Sequence, residues 1–431
     1  MERTIMTDLE AWRQSPFRKP LVLEGARQVG KTWCLKELGR GYESMAYVNF
    51  ESDPSLASLF DGDIDIRRIR AGLSAATGVA IEADRTLIVL DEIQEAPRAL
   101  TSLKYFAEQA PELHVATAGS LLGVALHAGT SFPVGKVDFL TVRPLTFVEF
   151  ARAIGQPGLA DVLLQGDWRV VNPLHARYVD ILRDYLCVGG MPEAVSRFIS
   201  VHDYGAARAV QESVLLAYER DVSKHAPAAE ASRITAVWRS LPAQLAKASG
   251  RFVYGEIAPG ARARQYETAI LWLQQAGLVH VVKRLTAPRL PVTAYEDQSA
   301  FKLYAVDTGL MTALSGLDVS AVLEPNRLFT EFKGALTEQY AAQELVAATG
   351  RVPHYWSSGP GGAEVDFVTQ IGNDIIPIEV KAERNLRAKS LQVYRERYDP
   401  HVALRASLTP YAANGSLIDL ALYGLGQITN L

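Results

Sequence analysis

Residues 25 to 32 read Gly25-Ala26-Arg27-Gln28-Val29-Gly30-Lys31-Thr32, a glycine-bounded turn that closes on a lysine and a hydroxyl. The turn follows the apolar run Leu21-Val22-Leu23 and opens a helical pattern, so it joins a buried strand to a helix. The glycines let the backbone curl until successive N–H groups point inward, and the helix amino end adds a dipole that favours anions. Lys31 adds positive charge and Thr32 a ligand for a metal. Such a turn is a phosphate cradle. Gly25, Arg27, Gln28, Val29, Gly30, Lys31, Thr32 and the adjoining Trp33 are therefore candidate contacts to a triphosphate, read as ATP with Mg²⁺.

The second half of such a site comes from a different strand. Leu87-Ile88-Val89-Leu90 is apolar and ends in Asp91-Glu92. This places Asp91 to hold the metal and Glu92 to act catalytically by activating water. In Thr117-Ala118-Gly119-Ser120, the hydroxyls of Thr117 and Ser120 fall where a side chain could touch the γ-phosphate or sit in an ordinary strand-to-turn bond. Arg98, Lys136, Arg143 and Arg197 are candidates for a further cationic contact. Gly129 to Val137 also contains Gly135-Lys136, but the spacing is one residue too long and Val137 cannot ligate a metal, so it is rejected as a second cradle.

The chain's 431 residues suggest two or three domains. With 44 Lys+Arg against 48 Asp+Glu the net charge is -4, so any basic nucleic-acid footprint has to be local. Cys34 and Cys187 belong to no metal-binding or disulfide pattern, and Met1 to Trp12 is too charged for a signal peptide. No run has the length of a membrane helix. These features lead to the expectation of a cytoplasmic protein with no membrane partner.

Short apolar runs alternate with helical patterns up to about Leu145, which predicts an α/β domain with a parallel sheet over residues 1–150. Residues 151–226 read as a helical lid and connector. Residues 227–310 show helix, turn, helix and strand in winged-helix order, and residues 311–431 read as a second α/β unit.

Several stretches together resemble one family: Arg18-Lys19-Pro20-Leu21, the glycine-rich turn, Asp91-Glu92-Ile93-Gln94, Gly119-Ser120, Arg143-Pro144-Leu145-Thr146-Phe147-Val148-Glu149-Phe150, Gly189-Gly190-Met191-Pro192-Glu193 and Asp307-Thr308-Gly309-Leu310. They are similar to prokaryotic AAA-type P-loop ATPases that carry a C-terminal domain of unknown function. The resemblance implies ATP hydrolysis, a homo-oligomer with a ring as one form, and a C-terminal fold similar to the PD-(D/E)xK nucleases. Many relatives have Gly-Arg where this chain has Gly135-Lys136, and lysine does not replace arginine at a bidentate phosphate contact.

The C-terminal stretch carries its own acids. Glu338 lies on a predicted helix, Glu364-Val365-Asp366-Phe367 on one strand and Pro377-Ile378-Glu379-Val380-Lys381 on the next. Alternation puts Glu379 and Lys381 on one face, where they can meet Asp366. Asp366 and Glu379 are then candidate metal ligands, and Lys381 a candidate to position or deprotonate water at a phosphodiester. The Glu-x-Lys triplet recurs at Glu331-Phe332-Lys333 without a matching strand, and an inert fold kept for binding explains the pattern equally well. Arg251, Arg262, Arg264 and Lys283 are candidate phosphate contacts to DNA, or simply solvated charges. Two functions stand: an ATPase driving a DNA-binding or nuclease-like module, and a nucleotide-controlled scaffold for a protein partner.

Overall fold

The structure is a computed structural model that describes residues 1–120, 122–125, 135–247, 250–319, 330–359, 361–382 and 389–431. Gly129 lies outside the described residues, as does the side chain of Glu331. The chain divides into two units: residues 2–143 with 275–277, and residues 144–274 with 278–431 and Met1. Among the described residues no helix is long and apolar enough to cross a membrane.

The first unit is built on five parallel strands, β1 (Leu21–Glu24), β2 (Ser44–Asn49), β3 (Thr86–Asp91), β4 (His114–Ala118) and β5 (Asp138–Thr141). Their order across the sheet is β2-β3-β4-β1-β5. Every residue of β3 and β4 is buried, which is why both read as unbroken apolar runs: helices cover the two faces of a parallel sheet. Helix Ile66–Thr77 starts where the Asp65 side chain accepts from the Arg67 N–H at 2.9 Å, and it stops at Gly78 with φ 70°. Helix Pro97–Gln109 begins on a proline, whose missing N–H costs nothing there. Ile69, Leu73, Leu100, Leu103 and Phe106 pack with Val22, Ile88, Leu90 and Val115 as one core.

The second unit opens with helices Phe147–Ala153, Pro157–Gln165, His175–Val188, Pro192–Val201 and Tyr204–His225, the helical run expected from the sequence. Helix Ala228–Leu245, two single turns and helix Glu267–Gln275 precede the hairpin β6 (Val279–Leu285) and β7 (Glu296–Ala305). Helices Thr308–Leu314 and Thr330–Thr349 follow. Then come β8 (His354–Ser357), β9 (Glu364–Ile371), β10 (Asp374–Val380), helix Lys389–Tyr398, β11 (Ala403–Ser407), β12 (Ala412–Asn414) and β13 (Leu417–Ala421).

These strands form one eight-stranded sheet in the order β12-β13-β11-β10-β9-β8-β6-β7. The single strand expected in the winged-helix order is β6, which forms a hairpin with β7 and is hydrogen-bonded into the C-terminal sheet through Arg284↔Tyr355 and Leu285↔Trp356. The sheet runs across the division expected at residue 310. The physical reason is burial: Leu285 shares a core with Trp356, Val365, Val368 and Tyr394, so the hairpin's apolar face is covered by the strands that follow it.

Two of the quoted motifs meet inside this unit. The fully buried Asp307 carboxylate accepts from the Gly190 N–H at 2.6 Å and the Leu310 N–H at 2.9 Å. Gly189 has φ 69°, and a Cβ there would strike the same carboxylate and the backbone of Gly309. Gln343 accepts from the Thr308 N–H at 2.8 Å and donates to the Tyr185 hydroxyl at 2.7 Å. Beside it, Glu344 accepts from the Phe147 N–H at 2.9 Å. Burial pushes Glu344 up to about 8 and Asp307 up to about 6.

Candidate functional site

The glycine-rich turn bridges β1 and helix Lys31–Gly39, and its backbone is what the sequence required. Gly25 has φ 136°, Gln28 φ 66° and Gly30 φ 96°, so the chain curls through left-handed conformations. A Cβ at Gly25 would collide with the carbonyl of Val142, which passes directly behind the turn. Lys31 is buried, and its Nζ donates to the carbonyls of Gly25 at 2.9 Å and Ala26 at 2.8 Å, so its charge is held beneath the loop. Arg27 is half-buried, Gln28 exposed, Val29 buried and Trp33 39% exposed, which leaves a large aromatic face at the rim.

The acidic half arrives from β3. Thr32 donates its hydroxyl to Asp91 Oδ2 at 2.8 Å, so the hydroxyl and carboxylate expected to share a metal stand side by side. Tyr47 on β2 donates to the same oxygen at 2.8 Å, and burial pushes its phenol up to about 12. Glu92 sits at φ 50° just past the strand, an uncommon conformation for a non-glycine residue and a frequent mark of a functional position. Its Oε2 accepts from Gln94 Nε2 at 2.7 Å and from the Ser120 N–H at 3.4 Å. Ser120, 7% exposed, follows β4. Lys31, Thr32, Asp91, Glu92 and Ser120 therefore gather beyond the carboxyl ends of β1, β3 and β4, where open α/β sheets hold their ligands.

The other candidates separate. Thr117 is buried and donates to the Leu21 carbonyl at 3.1 Å, so its hydroxyl serves the sheet. Arg98 donates to the Phe60 carbonyl at 3.0 Å, and Lys136 pairs with Glu108 at 3.0 Å. Burial lowers the pKa of Arg143, against the opposing pull of Glu24 beside it. Arg197 is exposed.

Three contributors escaped the sequence reading. Arg3, 7% exposed and just before the helix Ile5–Gln14, donates to the Val29 carbonyl at 2.9 Å and to the carbonyl of Arg143, tying the amino-terminal segment to the turn. No local pattern could link residues 3 and 29. Tyr47 likewise carried no signal beyond strand alternation. Gln94 did, because it lies inside the quoted Asp91-Glu92-Ile93-Gln94 motif.

In the second unit, β9 and β10 pair antiparallel with Phe367 opposite Ile378, which brings Asp366 and Glu379 to facing positions one step on. Asp366 Oδ2 accepts from the Val380 N–H at 2.7 Å, and Lys381 Nζ donates to Glu379 Oε1 at 2.6 Å. Lys302 on β7 joins them unannounced. It is 1% exposed and pairs with Glu364 at 2.8 Å and Glu338 at 3.4 Å. Burial opposes its charge, but Glu338, Tyr304, Asp366 and Glu364 outweigh that and hold the ammonium well above the usual lysine value. Burial, with the charges of Glu338 and Glu379, drives Asp366 well above the carboxylate range. Burial also raises Glu379, despite the neighbouring Lys381.

The two sites differ in their fitness for a metal. At the glycine-rich turn one hydroxyl and one carboxylate adjoin a phosphate cradle, which matches Mg²⁺ held by a few protein oxygens and the phosphates of its substrate. In the C-terminal cluster Glu338 and Glu364 face Lys302 and Glu379 faces Lys381, while Asp366 accepts from the Val380 N–H. Among the described residues no group of three or more His, Cys, Asp or Glu could hold a metal ion. Two of the acids there, Glu338 and Glu379, already face an ammonium.

The basic candidates for DNA are also partly engaged. Lys283 pairs with Glu296 at 2.7 Å, while Arg262 and Arg264 are exposed.

The parallel sheet, its glycine-rich turn and the acids of β3 together support a nucleotide-binding ATPase. Residues 17–151 match the family model described as AAA domain. Residues 179–321 and 333–422 match two domains of unknown function, DUF8612 and DUF4143. No curated protein matches the chain. Among solved structures, the Walker-type ATPase PABY2304 of Pyrococcus abyssi is similar at 13% identity, over 73% of this chain and 95% of that one, with a TM-score of 0.44. The Orc1 protein of Aeropyrum pernix, solved in complex with DNA, is similar at 16% identity over 75% of this chain and 95% of that one, TM-score 0.25. Cdc6p from Pyrobaculum aerophilum is similar at 13% identity over the same shares, TM-score 0.27.

Proposed function

We propose that the chain hydrolyses ATP to ADP and phosphate in a Mg²⁺-dependent reaction at the glycine-rich turn, and that the nucleotide state is read out by its C-terminal half. The observation that carries this reading is the Thr32–Asp91 contact, with Glu92 and Ser120 beside it. Thr32 and Asp91 would hold Mg²⁺, which when bound neutralises phosphate charge. Lys31 and the N–H groups of residues 25 to 32 bind the β- and γ-phosphates. Glu92 accepts the proton of the attacking water as its oxygen bonds to the γ-phosphorus and the ADP oxygen departs. Gln94 and the Ser120 N–H fix the direction of that carboxylate.

Of the two uses weighed for the C-terminal half, the lysine-occupied acids favour a binding module for a partner over a nuclease. Assembly into a homo-oligomer belongs to the same reading. Turnover of the full chain tests it. Glu92→Gln should retain ATP yet lose hydrolysis by about 100-fold or more, and Lys31→Ala should weaken ATP binding by about tenfold or more. Hydrolysis undiminished in both variants would sink the assignment. Stimulation by duplex DNA would return the C-terminal half to nucleic-acid work, whereas indifference to DNA agrees with a protein partner.

A further inference from the structure

An ammonium group removed from water costs several kcal/mol unless its surroundings repay it, so a lysine that is 1% exposed needs a reason. Lys302 finds its repayment on two other elements, Glu364 of β9 and Glu338 of helix Thr330–Thr349, and its Nζ lies 5.3 Å from the centre of the Tyr355 ring on β8. The Glu338 oxygen that faces it is engaged a second time by the Tyr304 hydroxyl at 2.9 Å. Lys381 takes one oxygen of Glu379, and the Val380 N–H takes one oxygen of Asp366. What remains is Glu379 Oε2, buried and without a hydrogen-bond partner, on a residue 4% exposed.

We propose that Lys302 is the resident counter-cation of this pocket, set where a metal-dependent nuclease would keep a divalent ion, so that the intact chain neither binds Mn²⁺ there nor cuts phosphodiesters. A dication drawn to Glu338, Asp366 and Glu379 would meet an ammonium already held by Glu338. Like charges at such range in a poorly screened interior repel strongly. Lys302 has no short route to water, because its whole side chain is enclosed. The orphaned Glu379 oxygen is a ligand position already open to a cation, kept empty by the Lys302 charge nearby. The inference concerns charges in the second unit and is independent of the nucleotide reading, since no step of the test requires ATP.

The test is calorimetric titration of Mn²⁺ into the nucleotide-free full-length protein, comparing wild type, Glu379→Gln, Lys302→Met and the double variant. Glu379→Gln should leave the wild-type isotherm unchanged. Lys302→Met should gain a site about tenfold or more tighter than any wild-type binding in the pocket, and the double variant should lose it. A wild-type Mn²⁺ site that disappears in Glu379→Gln overturns the proposal. So does Mn²⁺-dependent nicking of supercoiled plasmid that disappears in the same variant, or a Lys302→Met protein with native circular dichroism and no new site. The wild-type and Glu379→Gln pair decides the matter even if Lys302→Met fails to fold.

Discussion

The most consequential residue-scale feature is the tether on Glu92. A carboxylate at φ 50° on the rim of a strand has several ways to point, and Gln94 with the Ser120 N–H selects one. Gly119 lies against this arrangement, because a Cβ there would strike Gln94 Oε1 and approach Leu122 Cγ to 2.8 Å. Gln94→Ala and Gly119→Ala should therefore converge on one phenotype, kcat reduced by about tenfold with KM for ATP little changed, since binding and orientation are separate duties. Steady-state kinetics of the two variants checks this. A raised KM in Gln94→Ala would mean that the amide serves the substrate rather than the carboxylate.

At the scale of elements, the glycine-rich turn is held from behind as well as shaped from within. Gly25 combines φ 136° with a carbonyl where a side chain would go, so Gly25→Ala has no relaxed alternative. It should lower stability by about 2–3 kcal/mol and abolish retention of a fluorescent ATP analogue, read by thermal melting and anisotropy. Arg3, just before the helix Ile5–Gln14, supports the turn by a bond to the Val29 carbonyl. Arg3→Met should weaken nucleotide affinity by about tenfold without altering kcat at saturation, again measured kinetically.

These elements also show what could be read in advance. The strands of the first unit, the turn and the acids of β3 announced themselves: β1, β3 and β4 because a buried parallel strand is written as an apolar run, the partly buried edge strands β2 and β5 as short apolar stretches, and the cradle because it needs glycine at fixed places. Arg3, Tyr47 and Lys302 did not, since each acts through a partner distant in sequence and local patterns carry no trace of that. Of the hairpin, only the β6 run was legible as a strand, in the winged-helix order; β7 carried no signal that was read. The pairing of β6 with β8 depends on a core that closes only in three dimensions.

For the molecule as a whole, the buried acids set a pH dependence. Glu344 rises from 4.5 to about 8 on folding and Asp307 from 3.8 to about 6, so the folded state binds the more protons between those limits. Their contribution to stability is full below the unfolded values and is lost as pH climbs through the folded ones. The melting temperature should fall as pH is raised from about 5 to about 8, and Glu344→Gln should flatten that fall and melt several degrees higher at alkaline pH. Differential scanning calorimetry across the range checks the sign.

One practical consequence follows from the position of Lys302 on β7. A fragment designed to begin after residue 310 looks reasonable on paper, but it would discard the only element that carries this ammonium to Glu338 and Glu364. Such a truncated polypeptide would expose the flank of β8 and leave its carboxylates hungry for any dication in the buffer. Manganese uptake or nicking by that piece would be an artefact of dissection, made by the scissors rather than inherited from the parent.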